Sequence, residues 1–229
     1  MNVSGLVNVS GLVNVSGLVS NDVERLDYCF PNRISRILLL ALRDVMGENG
    51  IHAVLNIARL QHFIEVCPPP NFEPGMTFDE MGRLFDAVEG IYGVRGGQRL
   101  ARRSGEACFK YGIEGFGGVI GFADFALRLL PISLRVRIGL EVLAEIFNRY
   151  TDQRVVLGEG EDSFFFVIER CGFCWRRRSD TPACALLEGL LEESLYWVSR
   201  GKRFFIEGIS CVACGDPVGT LRVDKTPLN

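Results

Sequence analysis

Five cysteines, Cys171, Cys174, Cys184, Cys211 and Cys214, fall within 44 positions of a 229-residue chain that has eight in all. Cys171-Gly-Phe-Cys174 and Cys211-Val-Ala-Cys214 are paired CxxC units. Two intervening residues let both sulfurs of one turn reach the same tetrahedral ion, so the pairs are candidate halves of a metal site. Thirty-six residues separate them, and each pair sits where a strand is expected to end, so the fold has to bring them together. Cys184 lies at the start of an expected helix, where the macrodipole favours a thiolate, and is an additional candidate ligand. Reduced structural thiols, and redox or disulfide chemistry, are the other uses open to the same sulfurs.

Other chemistry is sparsely written. His52 and His62 are ten residues apart on one expected helix, which is not a ligand spacing on one face, and ordinary packing accounts for both. There is no G-x-S-x-G elbow, H-E-x-x-H pair or phosphate-binding loop. Gly93-Val94-Arg95-Gly96-Gly97 follows no strand and reads as an interhelical loop, and Cys67-Pro68 reads as a helix terminator. Trp175-Arg176-Arg177-Arg178 offers a carboxylate clamp or a solvated loop, and Glu188, Glu192 and Glu193 read as a helix's solvent face.

The elements that must position these residues divide the chain in two. Pro31 suits a first turn, Ile34 to Val45 recur at helical spacing, and Gly47 ends that helix. A second helix spans about 51 to 64, and Thr77-Phe78-Asp79-Glu80 has capping-box spacing for a third running to about Gly90. Helical periodicity continues from Gly96 to Tyr150, with breaks expected at Gly115, Gly117 and Gly118 and at Pro131. Between those breaks Phe116, Ile120, Phe122, Phe125 and Leu129 leave little polar face, so the segment is either a core helix or the wall of an apolar cavity. After Asp152 the period changes to that of strands. Val155 to Leu157 and Ser163 to Arg170 are joined by a turn; a helix capped by Thr181 runs to Gly201; two more strands turn at Gly215-Asp216-Pro217. Phe164 to Ile168 is apolar on both faces, which calls for cover on both. The expected fold class is α+β, an N-terminal helical segment (31–150) followed by a ββαββ antiparallel-sheet unit (151–227), within one domain of residues 21–229.

Composition narrows the partners. With 48% apolar residues and a formal charge of -3 the chain can bury a core and offers no broad positive field, which argues against nucleic acid. Gly112 to Ser133, the most hydrophobic stretch, is interrupted by Glu114, Asp124 and Arg128, so no membrane span is expected. The N-terminus lacks a basic region and a long apolar run, which points to a cytoplasmic protein and thiols rather than a disulfide framework. Residues 2–19 are three copies of Asn-Val-Ser-Gly-Leu-Val, expected as a low-complexity tail over 1–20.

Ile168-Glu-Arg-Cys-Gly-Phe-Cys-Trp, Asp180-Thr-Pro-Ala-Cys184-Ala-Leu-Leu-Glu-Gly189-Leu-Leu and Glu207-Gly-Ile-Ser-Cys211-Val-Ala-Cys-Gly215-Asp216-Pro217 together resemble the 4-vinyl reductase, or hydrocarbon-binding, domain over about residues 150 to 227. That family is bacterial, is tied to bacteriochlorophyll biosynthesis and to sensors of aromatic compounds, and has a fold like that of TRAPP vesicle-tethering subunits. The resemblance implies a pocket for an aromatic, tetrapyrrole or lipid-like molecule, a homodimer, and a zinc ion held by cysteines at the positions of Cys184 and Cys211. Its other two ligand positions fall on Gly219 and Gly208, leaving Cys171, Cys174 or Cys214 as substitutes. The function expected is a carrier or sensor of a small hydrophobic ligand, with zinc as cofactor and Phe116, Ile120, Phe122, Phe125, Leu129 and Phe166 lining the pocket. The alternatives are a pigment-biosynthesis enzyme acting on a tetrapyrrole vinyl group and a dimeric assembly subunit. No flavin or nicotinamide motif is present for reductase chemistry.

Overall fold

The computed structural model describes residues 28–127 and 130–228, with the side chains of residues 115–129 outside the described set. The hexapeptide repeat and five of the six expected pocket residues therefore lie outside what is described. Strand β1 (Cys29–Pro31) pairs antiparallel with β2 (Pro74–Thr77), a small sheet that sequence periodicity does not announce. Helix α1 (Asn32–Ile57) opens on Pro31 and leaves helical geometry at Gly47, with φ 74° and ψ 167°, where the break is expected. Its second half stops earlier than the expected 64. Arg59 turns left-handed at φ 60°, and the Leu60 N–H bonds back to the Leu55 carbonyl, closing the helix end before the one-turn α2 (His62–Glu65).

Helix α3 (Phe78–Leu127) begins with the capping box read from the sequence. The Glu80 N–H donates to Thr77 Oγ1 at 3.1 Å, and the Thr77 N–H donates to Glu80 Oε2 at 2.8 Å. Gly93, at φ 71°, interrupts it. The break expected at Gly115 to Gly118 is absent from the backbone, because glycine weakens a helix by about 1 kcal/mol per residue without forbidding helical geometry. Pro131, which lacks an N–H and crowds the preceding turn, does separate α3 from α4 (Ile132–Tyr150).

The second half is the expected ββαββ unit: β3 (Arg154–Glu159), β4 (Ser163–Arg170), α5 (Ala185–Ser199), β5 (Phe204–Ser210) and β6 (Gly219–Pro227). The four strands are antiparallel in the order β3-β4-β6-β5, and the α+β class stands. α5 starts three residues after the expected cap, because the Thr181 hydroxyl is engaged by Gln98 Nε2 and Cys184 takes the cap position. α5 packs on β5 and on α3; α3 lies between α5 and α1; α4 bridges α5 and β3. Phe164, Phe166 and Ile168 are buried, whereas Phe165 and Val167 on the opposite face are only half-buried. The inner face is closed by Phe204, Ile206, Leu221 and Val223.

Both edges of the sheet are occupied by helix side chains. The Asn148 amide of α4 donates to the Val155 carbonyl and accepts from the Val155 N–H, each at 2.8 Å, as a neighbouring strand would. At the other edge the Gly208 N–H donates to Glu188 Oε1 of α5 at 3.2 Å. Asn148→Ala leaves a buried donor and acceptor of Val155 unpaired, and the expected loss is about 2 kcal/mol in urea unfolding. An unchanged midpoint would show that the amide is dispensable.

A candidate thiolate centre

β6 lies between β4 and β5 and runs antiparallel to both, so the C-terminal ends of β4 and β5 emerge side by side at the start of β6. Cys171 follows β4 directly and Cys211 follows β5 directly. The turn from Cys171 to Cys174, closed by the Cys174 N–H on the Cys171 carbonyl, folds the second sulfur back toward the sheet. Cys184 caps α5 above the same spot. Topology thus joins residues that 36 intervening positions separate.

The sulfurs converge. Cys174 Sγ stands 3.2 Å from Cys184 Sγ and 3.5 Å from Cys211 Sγ, and Cys184 Sγ stands 4.0 Å from Cys211 Sγ. Cys171 joins Cys174 and Cys184 with all three sulfurs within 4.8 Å of one another. These are non-bonded separations, well beyond the roughly 2.05 Å of a disulfide. Four sulfurs about 2.3 Å from a central tetrahedral ion would stand about 3.8 Å apart. Cys174, Cys184 and Cys211 approach that spacing, and Cys171 joins the first two, but Cys211 falls outside the mutual 4.8 Å group that Cys171 belongs to. All four side chains are buried, none more than 2% exposed. Cys214, also expected as a ligand, is exposed and lies outside this group.

Proton sharing sets the charge. S–H donation from Cys174, then from Cys184, pulls Cys171 well below the ordinary thiol value. Cys211 is pulled down to about 2, first by Cys174, then by Cys184, with the Ala183 and Ala213 N–H groups adding to it. Cys174 and Cys184 are pushed up in return, each first by its bond to Cys171. Cys108, buried without such neighbours, is pushed up to about 12 by desolvation alone. The cluster therefore favours thiolate at Cys171 and Cys211 while holding protons on Cys174 and Cys184.

The loop that carries Cys171 and Cys174 is clamped from outside. The Arg177 side chain, 2% exposed, reaches Asp86 Oδ1 at 2.7 Å and Glu89 Oε1 at 2.8 Å on α3, and donates to the Phe173 carbonyl at 3.3 Å. It is neither a ligand clamp nor a solvated residue, the two roles that Trp175-Arg176-Arg177-Arg178 suggested. Phe173 packs among Phe30 and Phe85, and Phe30 on Phe78. Asp216 of the Gly-Asp-Pro turn accepts the Cys211 N–H at 2.8 Å. Sequence reading missed these supports, since only Gly-Asp-Pro left a signal, and that signal read as a turn. Gly219 lies beside the centre, where an added Cβ would stand 4.0 Å from Cys184 Sγ, while Gly208 faces Pro182 and Glu188 instead. Phe166, the one expected pocket residue with a described side chain, is fully buried with its ring edge-on to Phe147. No helix among the described residues is long and apolar enough to cross a membrane.

No family model and no curated protein matches the chain. Solved structures do. An H-NOX protein from S. oneidensis in the Fe(II)NO ligation state aligns with TM-score 0.53 at 13% identity, covering 85% of this chain and 99% of that one. A triple mutant of an S. oneidensis H-NOX protein in the Fe(II) state aligns with TM-score 0.53 at 14% identity, over 85% and 96%. A structure concerned with modulating haem redox potential through porphyrin distortion aligns with TM-score 0.50 at 15% identity, over 85% and 98%.

These neighbours correct three expectations. The 4-vinyl reductase resemblance, with its TRAPP likeness, gives way to H-NOX proteins as the solved folds this chain resembles. Bacteriochlorophyll biosynthesis loses its footing with it. Zinc as cofactor is corrected too, since the names of these neighbours speak of haem and Fe(II) rather than zinc, and convergent thiols alone do not specify that metal. The cysteine motifs misled because short spacings of one residue type recur on unrelated scaffolds.

Haem does not fit the described residues through a histidine. The chain has two histidines. His52 pairs with Glu48 at 3.3 Å beside a cleft of about 80 Å³, far below the roughly 300 Å³ at which small-molecule pockets begin. His62 is exposed, its ring tilted against Phe63 and 3.7 Å from Glu80. What the chain shares with the H-NOX structures is their fold.

Proposed function

We propose that this chain is a small-molecule-binding domain, a sensor or carrier of a hydrophobic ligand, in which the four buried cysteines hold a metal ion as a structural staple. The observation that carries the reading is the sealing of the centre. Cys174, Cys184 and Cys211 stand within 4.0 Å of one another, Cys171 closes on the first two, and all four are buried out of reach of any substrate, since catalysis requires contact with the reacting group. An ion there ties the end of β4, the end of β5 and the cap of α5 into one rigid corner, the way a closed structural site contributes to folding. The likeness to H-NOX proteins supports a binding role, since those proteins are named in ligated states. The pocket lining expected from the sequence is Phe116, Ile120, Phe122, Phe125 and Leu129 together with Phe166.

The chain is expected to act as a homodimer. The outer face of the sheet exposes Val156, Phe205 and Ile209 around Arg222, which pairs with Glu207 and Asp224. Light scattering of the full chain is expected to give twice the monomer mass, and a strict monomer would refute the dimer. Organic extraction of the purified full chain followed by mass spectrometry is expected to recover an apolar molecule in near-stoichiometric amount. Extracts that repeatedly contain none, together with no saturable uptake of an apolar fluorescent probe, would end the ligand reading.

A further inference from the structure

We infer that Cys214 is an oxidation site, at which a peroxide drives a disulfide to Cys211 and dismantles the four-thiolate centre. The inference rests on the reading of that centre as a metal site. Cys214 is exposed at the edge of an open groove lined by Arg178, Ser179, Thr181 and Gly215, whereas the four clustered thiols are walled in. A peroxide in solvent therefore meets Cys214 before any member of the cluster. Cys211 is the cluster member that shares its turn. The Cys214 N–H donates to the Cys211 carbonyl at 2.9 Å, closing the single 3₁₀ turn Val212–Cys214 between them. Such a turn holds its first and fourth Cα within about 7 Å, inside the range that a disulfide spans. Gly215, at φ 97°, ends the turn and lets the chain reverse behind Cys214.

The chemistry balances with hydrogen peroxide as oxidant. The Cys214 sulfur attacks one peroxide oxygen, the O–O bond breaks, and Cys214 becomes a sulfenic acid while one water leaves. The Cys211 sulfur then attacks the Cys214 sulfur, displacing the hydroxyl as a second water. Two thiols lose two electrons and two protons, and the peroxide is reduced to two waters. Cys171, Cys174 and Cys184 are left as a three-thiol remnant, and a thiolate site short of a ligand holds its ion weakly. Thiol reductants reverse the step by exchange.

The test uses the full chain loaded with Cd(II), whose thiolate absorption reports binding without redox chemistry of its own. Limited hydrogen peroxide is expected to abolish the absorption, with peptide mapping showing a Cys211–Cys214 disulfide, and a reductant plus Cd(II) is expected to restore it. In Cys214→Ser, Cd(II) binding is expected to be normal and its loss to peroxide at least tenfold slower. Loss at an unchanged rate in Cys214→Ser, or a disulfide mapped to other cysteines or between chains, would overturn the inference. A reduced chain that never takes up Cd(II) would instead sink the four-thiolate reading, and the disulfide map alone would then decide whether Cys214 and Cys211 are the reactive pair.

Discussion

Cys184→Ser is expected to lower Cd(II) affinity at least 100-fold and to abolish the effect of a chelator on thermal unfolding. The wild-type chain should melt lower after metal removal; the variant should melt at that lower temperature with or without the ion. The expectation follows from where Cys184 sits. It caps α5 and stands within 4.0 Å of two other cluster sulfurs, so in the proposed centre it would supply the link between helix and sheet as well as a ligand. An ion that binds only the folded chain stabilises it by roughly 4 kcal/mol at a thousandfold excess over its dissociation constant. Losing one of four ligands removes most of that gain. Acidification should mimic the variant, because protons compete with the ion for every thiolate, so affinity falls as pH falls. Cys67→Ser, at an exposed thiol remote from the centre, is the control and should change neither affinity nor melting temperature. A Cys184→Ser chain with wild-type Cd(II) affinity would remove this residue from the centre.

Gly189→Ala is expected to cost about 3 kcal/mol or more in denaturant unfolding, the largest single-methyl effect among the described glycines. A Cβ at Gly189 would be driven into the Arg102 carbonyl of α3, and one at Gly105 into the Leu186 carbonyl of α5, in both cases far inside van der Waals contact with backbone. Backbone cannot rotate away as a side chain can, so the helices must separate, and overpacking of this kind typically costs 1–3 kcal/mol, occasionally more. Separation would also pull Arg102 from Glu188 and Glu192, which it bridges across the same crossing. Cys184 lies one and a half turns upstream on the displaced helix, so Cd(II) affinity should fall with stability. Gly112→Ala on α3, where an added methyl meets nothing within 4 Å, is the matched control and should be neutral or stabilising by about 0.5–1 kcal/mol. Gly189→Ala with wild-type stability would mean that the crossing is looser than the geometry shows.

Much of this architecture was legible in the residues. The capping box at Thr77, the stop at Gly47, the proline break before Ile132 and the change of period after Asp152 are local signals, and each has a local physical cause in the fold. The two CxxC pairs and Cys184 stood out by type and spacing. That Cys214 would be left outside, and that Cys171 would be drawn in, depended on β6 running between β4 and β5, which periodicity does not encode. The Gly105 and Gly189 crossing and the Arg177 clamp escaped notice for the same reason: each joins residues far apart in sequence. The family resemblance failed differently, through motifs short enough to recur on another fold's neighbours.

Cadmium-113 NMR of the full chain loaded with one equivalent of Cd(II) tests the central claim most directly, because the shift reports how many sulfurs bind the ion. A single resonance at the position of four-thiolate cadmium, lost in Cys184→Ser and kept in Cys214→Ser, is the predicted result. A bound resonance at a two-sulfur position, or no bound resonance at all, would contradict it.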